Sequence, residues 1–224
     1  MNSLNLSLYL VTNNSEDEEK FLNIIEESNL EESLEKNERI ENFLFKDETI
    51  KDKELTSLSF SGCVFENCTF INCKALMIEF SDCTFHKCDF SNNDFTTGTF
   101  HRLIFNDCKL TGSIFIEASF FGVKFNNSLL DYANFSYGKG EYLSFSNSSL
   151  QNSDFDNFKL KEFTLENVNL EGSFIYNTSF ENIDLSSSNI NKISTTIDCL
   201  KGSVVSIDQA LLIARMFVKI KDDL

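Results

Sequence analysis

The sequence predicts an all-β solenoid, and three observations predict it. An apolar residue recurs every five positions. The residue two before it is mostly small. Polar residues fill nearly all of the other three slots. From Phe60 to Ile190 there are 27 residues whose numbers are multiples of five. Sixteen are Phe, seven Leu and two Ile, and only Ala75 and Gly140 depart. The slot two earlier holds Cys63, Cys68, Cys73, Cys83, Cys88 and Cys108, then Ala118 and Ala133, and Ser at 113, 128, 148, 153, 173 and 188. It is larger at Leu58, Ile78, Leu103, Leu143, Phe158 and Phe163.

A helix cannot use this period, because five residues turn about 500° and successive centres drift around the axis. A straight strand cannot use it either, because a step of five moves the side chain to the opposite face. The pattern works if the chain turns a corner in every repeat. Each centre, and each residue two before it, then points inward, and successive coils stack as parallel strands about 4.8 Å apart. The core is buried only by that stacking.

This reading assigns the cysteines. Six of the seven share their slot with Ala, Ser and Val, and a buried thiol packs as a small hydrophobe. The C-x4-C spacing differs from the short-spaced pairs of zinc sites, and no His joins it in register. No metal and no cofactor are expected.

Composition narrows the function. Thirty-five Asp and Glu oppose 19 Lys and Arg in 224 residues, a net charge of −16. Such a surface repels nucleic acid and anionic membranes and suits a basic partner. No stretch approaches the roughly 18–20 apolar residues of a membrane span. The N-terminus has no positive region ahead of an apolar run, and the cysteine count is odd, so a reducing cytoplasm is expected. His86 and His101 sit in outward slots, and there is no Gly-rich phosphate loop and no HExxH. An enzyme is not expected.

The repeat A/C/S–x–F/L–x–x, as in CVFEN, CTFIN, CDFSN, ASFFG and ANFSY, resembles that of the pentapeptide-repeat proteins over roughly residues 43–193. The resemblance implies a right-handed quadrilateral β-helix with four repeats per coil. Residues twenty apart would stack, placing Phe60, Phe80, Phe100 and Phe120 in one ladder and Phe65, Phe85, Phe105 and Phe125 in another. The rod would be about 36 Å long at the strand spacing. Gly138 and Gly140 replace both inward residues of one repeat, which predicts a local kink or bulge.

The expected organisation is a capping segment over 1–42, the repeats over 43–195 and a C-terminal cap over 196–224. In the first, LNLSLYLV alternates like a strand. Ser15 and Glu18 then fit a capping box ahead of an acidic helix with Phe21, Leu22, Ile24 and Ile25 on its apolar face. In the last, GSVVSIDQALLIARMFVKI resembles the C-terminal cap of the quinolone-resistance (Qnr-type) members. Ser206 and Gln209 fit a capping box that starts a helix near Ile207. That helix is apolar nearly all round and needs burial on more than one side. The resemblance implies a homodimer through Ile207, Ala210, Leu211, Ala214, Phe217 and Val218; a monomeric cap is the alternative.

The acids are unevenly spread. The face with centres 75, 95, 115, 135, 155 and 175 carries Asp94, Glu117, Asp154 and Asp156 against Lys74, and the preceding face carries Asp89, Asp131 and Glu171 with Lys109 and Lys192. The resemblance implies a DNA mimic that binds DNA gyrase and topoisomerase IV in place of DNA and protects them from quinolones. These seven acids would then be the contact surface. A generic interaction scaffold and an immunity protein against a gyrase toxin are the alternatives. Residues 56–195 hold 16 acids and nine bases, a net of −7. Over the rod that is about one charge per 5 Å, against one per ~1.7 Å of DNA, so shape must share the work.

Overall fold

The corner is made by one backbone conformation, repeated. The computed structural model describes residues 26–36 and 39–219. From Asn42 to Lys192 the residue two after each inward centre lies, with few exceptions, in the left-handed region, with φ from +48° at Asn147 to +74° at Gly172. That region suits Gly, Asn and Asp and costs other side chains about 1–2 kcal/mol. The slot accordingly holds Asn67, Asn72, Asn92, Asn127 and Asn147, Asp47, Asp52, Asp82 and Asp107, and Gly62, Gly112, Gly122 and Gly172. Thr97 is a β-branched exception at φ +58° on the surface. Thr97→Asn is expected to stabilise the protein by about 1 kcal/mol, read as a shifted urea midpoint at unchanged slope.

These corners fold the chain into a four-sided parallel β-solenoid of about eight coils. The first face carries the centres from Phe60 to Leu160 and the second those from Phe65 to Leu165. The third runs from Phe70 to Ile190, and the fourth from Ala75 to Ile175. The first two are sheets of seven and eight strands, in which neighbouring repeat strands pair at a spacing of twenty residues, as Phe80 with Phe100 and Phe85 with Phe105. The other two are held mainly by single-residue bridges, such as Asp89↔Lys109 and Asp94↔Ile114.

The expected ladders are present. Phe60, Phe80, Phe100 and Phe120 stack at 5.0, 6.1 and 4.9 Å between ring centroids. Phe65, Phe85, Phe105 and Phe125 stack at 4.9, 4.5 and 4.6 Å. Across each corner the rings meet edge to face, as between Phe80 and Phe85 at 83°. Offset stacking along the rod and T-shaped contact across it are the two favoured aromatic geometries.

The small slot has a second duty beyond filling volume. Its side chain donates to the carbonyl of a centre in the coil before. Ser113 Oγ reaches Phe90 O at 2.8 Å, Asn93 Nδ2 reaches Phe70 O at 2.8 Å, and Ser173 Oγ reaches Leu150 O at 2.7 Å. The cysteines do the same through sulfur, with Cys88 Sγ 3.4 Å from Phe65 O and Cys108 Sγ 3.5 Å from Phe85 O. Burial pushes the Cys83 thiol well up, and contact with Cys88 pushes the Cys68 thiol up, so both stay protonated donors.

The kink expected at Gly138 and Gly140 is absent. Lys139–Glu141 pairs in register with Ser119–Phe121 and Lys159–Lys161. The reason is compensation. Phe158 occupies the small slot one coil later, and a Cβ on Gly138 would lie 2.8 Å from its ring. On Gly140 a Cβ would lie 2.8 Å from Leu143 Cδ2 and 3.1 Å from the Phe158 ring. Two bulky side chains, Phe158 and Leu143, thus fill the volume that the two glycines give up.

Helices lie at both ends. Helix α1 (Leu30–Lys36) packs Leu30 and Leu34 on the core, and Arg39–Glu41 pairs with Ser59–Ser61, with Ile40 beside Phe60. Asn29 Oδ1 accepts from the Glu32 amide at 2.9 Å, and Lys53 pairs with Glu31 at 2.6 Å. The strand expected in LNLSLYLV and the capping box at Ser15 and Glu18 lie outside the described residues. At the other end, α2 (Ile197–Leu200) buries Cys199 and Leu200, and α3 (Ile207–Phe217) begins at the expected residue with both arms of the Ser206–Gln209 capping box. No helix among the described residues is long and apolar enough to cross a membrane.

Candidate partner-binding surface

The outward slots of the four faces supply any contact surface. The fourth face has one column reading Lys74, Asp94, Ile114, Asn134, Asp154 and Phe174. Asp94 and Asp154 therefore share a column, three coils apart. Each has a local task. Asp94 Oδ1 accepts from the Thr96 amide at 3.0 Å and Asp154 Oδ1 from the Asp156 amide at 2.9 Å. Asn134, Asn169 and Asn189 make the same turn bond, so the bond needs an oxygen and not a charge. Asp156 is held by Asn157 and Asn177 at 2.8 and 2.9 Å, and Glu117 stands exposed at a left-handed corner.

On the third face Asp89 accepts from the Ser91 amide at 2.9 Å, and Asp131 accepts from Ser149 Oγ and from the Gln151 amide. Glu171 pairs with Lys192 at 2.6 Å, and the ammonium holds its carboxyl below the usual range. The seven acids form two loose stripes rather than a cluster.

The acids share this surface with apolar groups that the five-residue pattern hides. Met77, Tyr137 and Phe174 are exposed on the fourth face and Leu129 and Tyr132 on the third. Their signal in the sequence is an aromatic or apolar residue in an outward slot. Tyr and Phe beside scattered charge is the composition of a protein interface more than of a phosphate ladder.

The first face differs. Arg102 makes a bidentate pair with Asp82, which is nearly buried, and donates from Nη1 towards His101 Nε2 at 3.1 Å. His101 stacks on Phe121 at 5.1 Å, and Phe121 meets Tyr142 edge-on. Desolvation, then the adjacent guanidinium, holds the His101 pKa below the ordinary imidazole value. Between the folded and unfolded pKa values the unfolded state binds more protons, so stability falls as pH drops through that window. The melting temperature of His101→Gln is expected to fall less than wild type between pH 7.5 and 5.5.

The C-terminal end presents a third surface. Gln209 is buried and donates from Nε2 to Leu185 O and Ser188 O, both at 2.7 Å, tying α3 to the last coil. Leu212 and Ile213 pack on the core, while Ile207, Ala210, Leu211, Phe217 and Val218 remain exposed and Ala214 is half-buried. Ile207 is 89% exposed, so this apolar face has no cover within the described residues.

A family model and one solved structure agree with this geometry. A family model described as a pentapeptide repeat region covers residues 98–175. The solved structure of full-length QnrB1, a plasmid-mediated fluoroquinolone resistance protein, superposes with a TM-score of 0.50 at 16% identity, covering 78% of this chain and all of that one. HetL, a pentapeptide-repeat protein involved in heterocyst differentiation regulation in the cyanobacterium Nostoc, covers 74% of this chain and 86% of its own at 10% identity and a TM-score of 0.27. Among curated proteins, the thiamine-phosphate synthase of Methanobrevibacter smithii is 93% identical over 28 residues. The shared run is 12% of this chain and spans only 13% of that enzyme's length. Residues 98–175 thus match a pentapeptide repeat region, and the same five-residue register and four-sided parallel solenoid continue on both sides of them.

Proposed function

We propose that this protein is a cytoplasmic, non-enzymatic binder of bacterial type II topoisomerases, DNA gyrase and topoisomerase IV, occupying a DNA-binding surface and lowering quinolone susceptibility. The observation that carries the reading is a rigid rod whose fourth face presents Asp94, Glu117, Asp154 and Asp156 against one lysine, Lys74. Asp89, Asp131 and Glu171 on the third face extend the acidic surface. Carboxylates take the places of phosphates, and the exposed Met77, Tyr137 and Phe174 supply apolar contact that phosphates lack. The likeness to QnrB1 supports the shape.

The rod is doubled in this reading. Ile207, Ala210, Leu211, Ala214, Phe217 and Val218 of α3 meet the same residues of a second copy, giving an isologous contact. Leu211→Lys is expected to halve the mass measured by light scattering.

The test is a supercoiling assay with purified gyrase and ciprofloxacin, titrating in wild type and the D94N/E117Q/D154N/D156N variant. Amide replacements keep the turn bonds of residues 94 and 154, since Asn134 already makes the same bond, while Asp156→Asn also gives up one of its two contacts with Asn157 and Asn177. Rescue of supercoiling by wild type, reduced at least tenfold in the variant, is expected. Equal rescue by both moves the contact off these four acids. No rescue by either removes gyrase as the partner.

A further inference from the structure

Three neighbouring corners of one coil carry tyrosine. Tyr132, Tyr137 and Tyr142 lie in the left-handed region at φ +61°, +62° and +53°. A bulky side chain is out of place there, and Asn, Asp or Gly fills most of the other corners. Tyr142 has a task within the fold, meeting Phe121 edge-on at 5.6 Å. Tyr132 and Tyr137 have none. Neither ring stacks and neither hydroxyl finds a partner among the described residues, and the two are 65% and 61% exposed. Their backbones serve the coil, with Tyr132 N on Gln151 O at 2.8 Å and Tyr137 N on Asp156 O at 2.9 Å. Two strained side chains that the fold does not use point to a use outside it.

The two residues stand at the two edges of the fourth face, with Asn134 and buried Ser136 between them. Asp154 follows Asn134 one coil on, and Ile114 precedes it by one. Glu117 shares the corner column of Tyr137, one coil before it, and its amide bonds Ser136 O at 3.0 Å. The Glu117 carboxylate has no partner among the described residues, and Asp154 uses only Oδ1, on the Asp156 amide. From Asn92 to Asn177 the fourth face holds four acids, Asp94, Glu117, Asp154 and Asp156, and no Lys, Arg or His. Lys139 lies round the corner, in a strand of the first face.

We propose that Tyr132 and Tyr137 form an arginine clamp, with a guanidinium of the partner protein stacked on a ring and forked onto Glu117 or Asp154. The clamp rests on the reading of the fourth face as the contact surface and names the side chain that face receives. A planar cation gains from the ring face and the carboxylate at once. Lysine brings a strongly hydrated point charge and no plane to stack. A second copy of this chain is disfavoured as occupant, because it carries the same net charge of −16.

The probe is a fluorescein-labelled peptide alternating Arg and Gly over eight residues, followed by anisotropy against the full chain without gyrase. Expected are saturable binding, at least fivefold weaker binding of the Lys–Gly peptide of equal charge, and at least tenfold weaker binding to Y132N/Y137N. Y132F/Y137F keeps the rings and should bind as wild type does. Asn suits a left-handed corner, so Y132N/Y137N should also unfold at a higher urea concentration than wild type. No binding, equal binding of the two peptides, or unchanged binding to Y132N/Y137N each overturns the proposal. So does a lower urea midpoint for that variant, which would make the tyrosines structural, and so does self-association of wild type that the variant abolishes, which would assign the rings to a second copy. Gyrase rescue is a separate readout. Arginine-selective binding without rescue keeps the clamp and removes the topoisomerase, whereas rescue without arginine-selective binding does the reverse.

Discussion

Phe158→Ala will destabilise the protein by about 3–5 kcal/mol, at the upper end of the range for a buried aromatic. The ring contacts Phe120, Phe135 and Phe155 at 6.3, 6.1 and 5.7 Å and fills the space that Gly138 and Gly140 leave empty. Two glycines cannot close over the cavity, so little of the loss is recovered by relaxation. At roughly 2–4 °C per kcal/mol for a chain of this size, the melting temperature should fall by about 10 °C or more. Gly140→Leu alone should cost about 1–3 kcal/mol by overpacking against Leu143 and Phe158. Combined, the two should be less damaging than their sum, with a coupling of at least about 1 kcal/mol. Simple additivity in a thermal-melt cycle would show that the glycines and Phe158 are not trading volume.

Gln209→Glu will release α3 while leaving the coils folded. The amide nitrogen serves two carbonyls, Leu185 O and Ser188 O, and a carboxylate puts acceptor against acceptor at both. Each unsatisfied group costs about 1–3 kcal/mol, more when charge is involved. An eleven-residue helix is marginal on its own in water, so a loss of that size frees it. The other arm of the capping box survives, because Ser206 N still finds an acceptor oxygen at position 209. Hydrogen exchange should show lost protection over 209–217 and unchanged protection in the coils. Protonating the new carboxyl restores one donor, so protection should partly return below about pH 4.3. Full protection at neutral pH would mean that Leu212 and Ile213 hold the helix without the amide.

Much of the fold is legible because every coil repeats one constraint. A period of five with a small residue two before each centre fits one kind of chain path, and the role of the cysteines follows from it; the Phe ladders came with the family resemblance and the start of α3 at Ile207 with the Ser206–Gln209 capping box. The left-handed corner had a signal as well, in the Asn, Asp and Gly of the slot two after each centre. The kink expected at Gly138 and Gly140 did not appear, because a gap in one slot is filled from a slot twenty residues away. A single repeat does not display that exchange.

The surface was less legible. Outward slots are free of the core constraint, so their residues carry no register that tells a turn former from a contact residue. Asp94 and Asp154 read as plain acids until their bonds to the Thr96 and Asp156 amides are seen. The sequence by itself determined the coil, its register and the identity of its core, because burial acts on every fifth residue alike. Tertiary structure alone decided that Phe158 fills the space left by Gly138 and Gly140, since these residues lie about a coil apart and meet only when the coils stack.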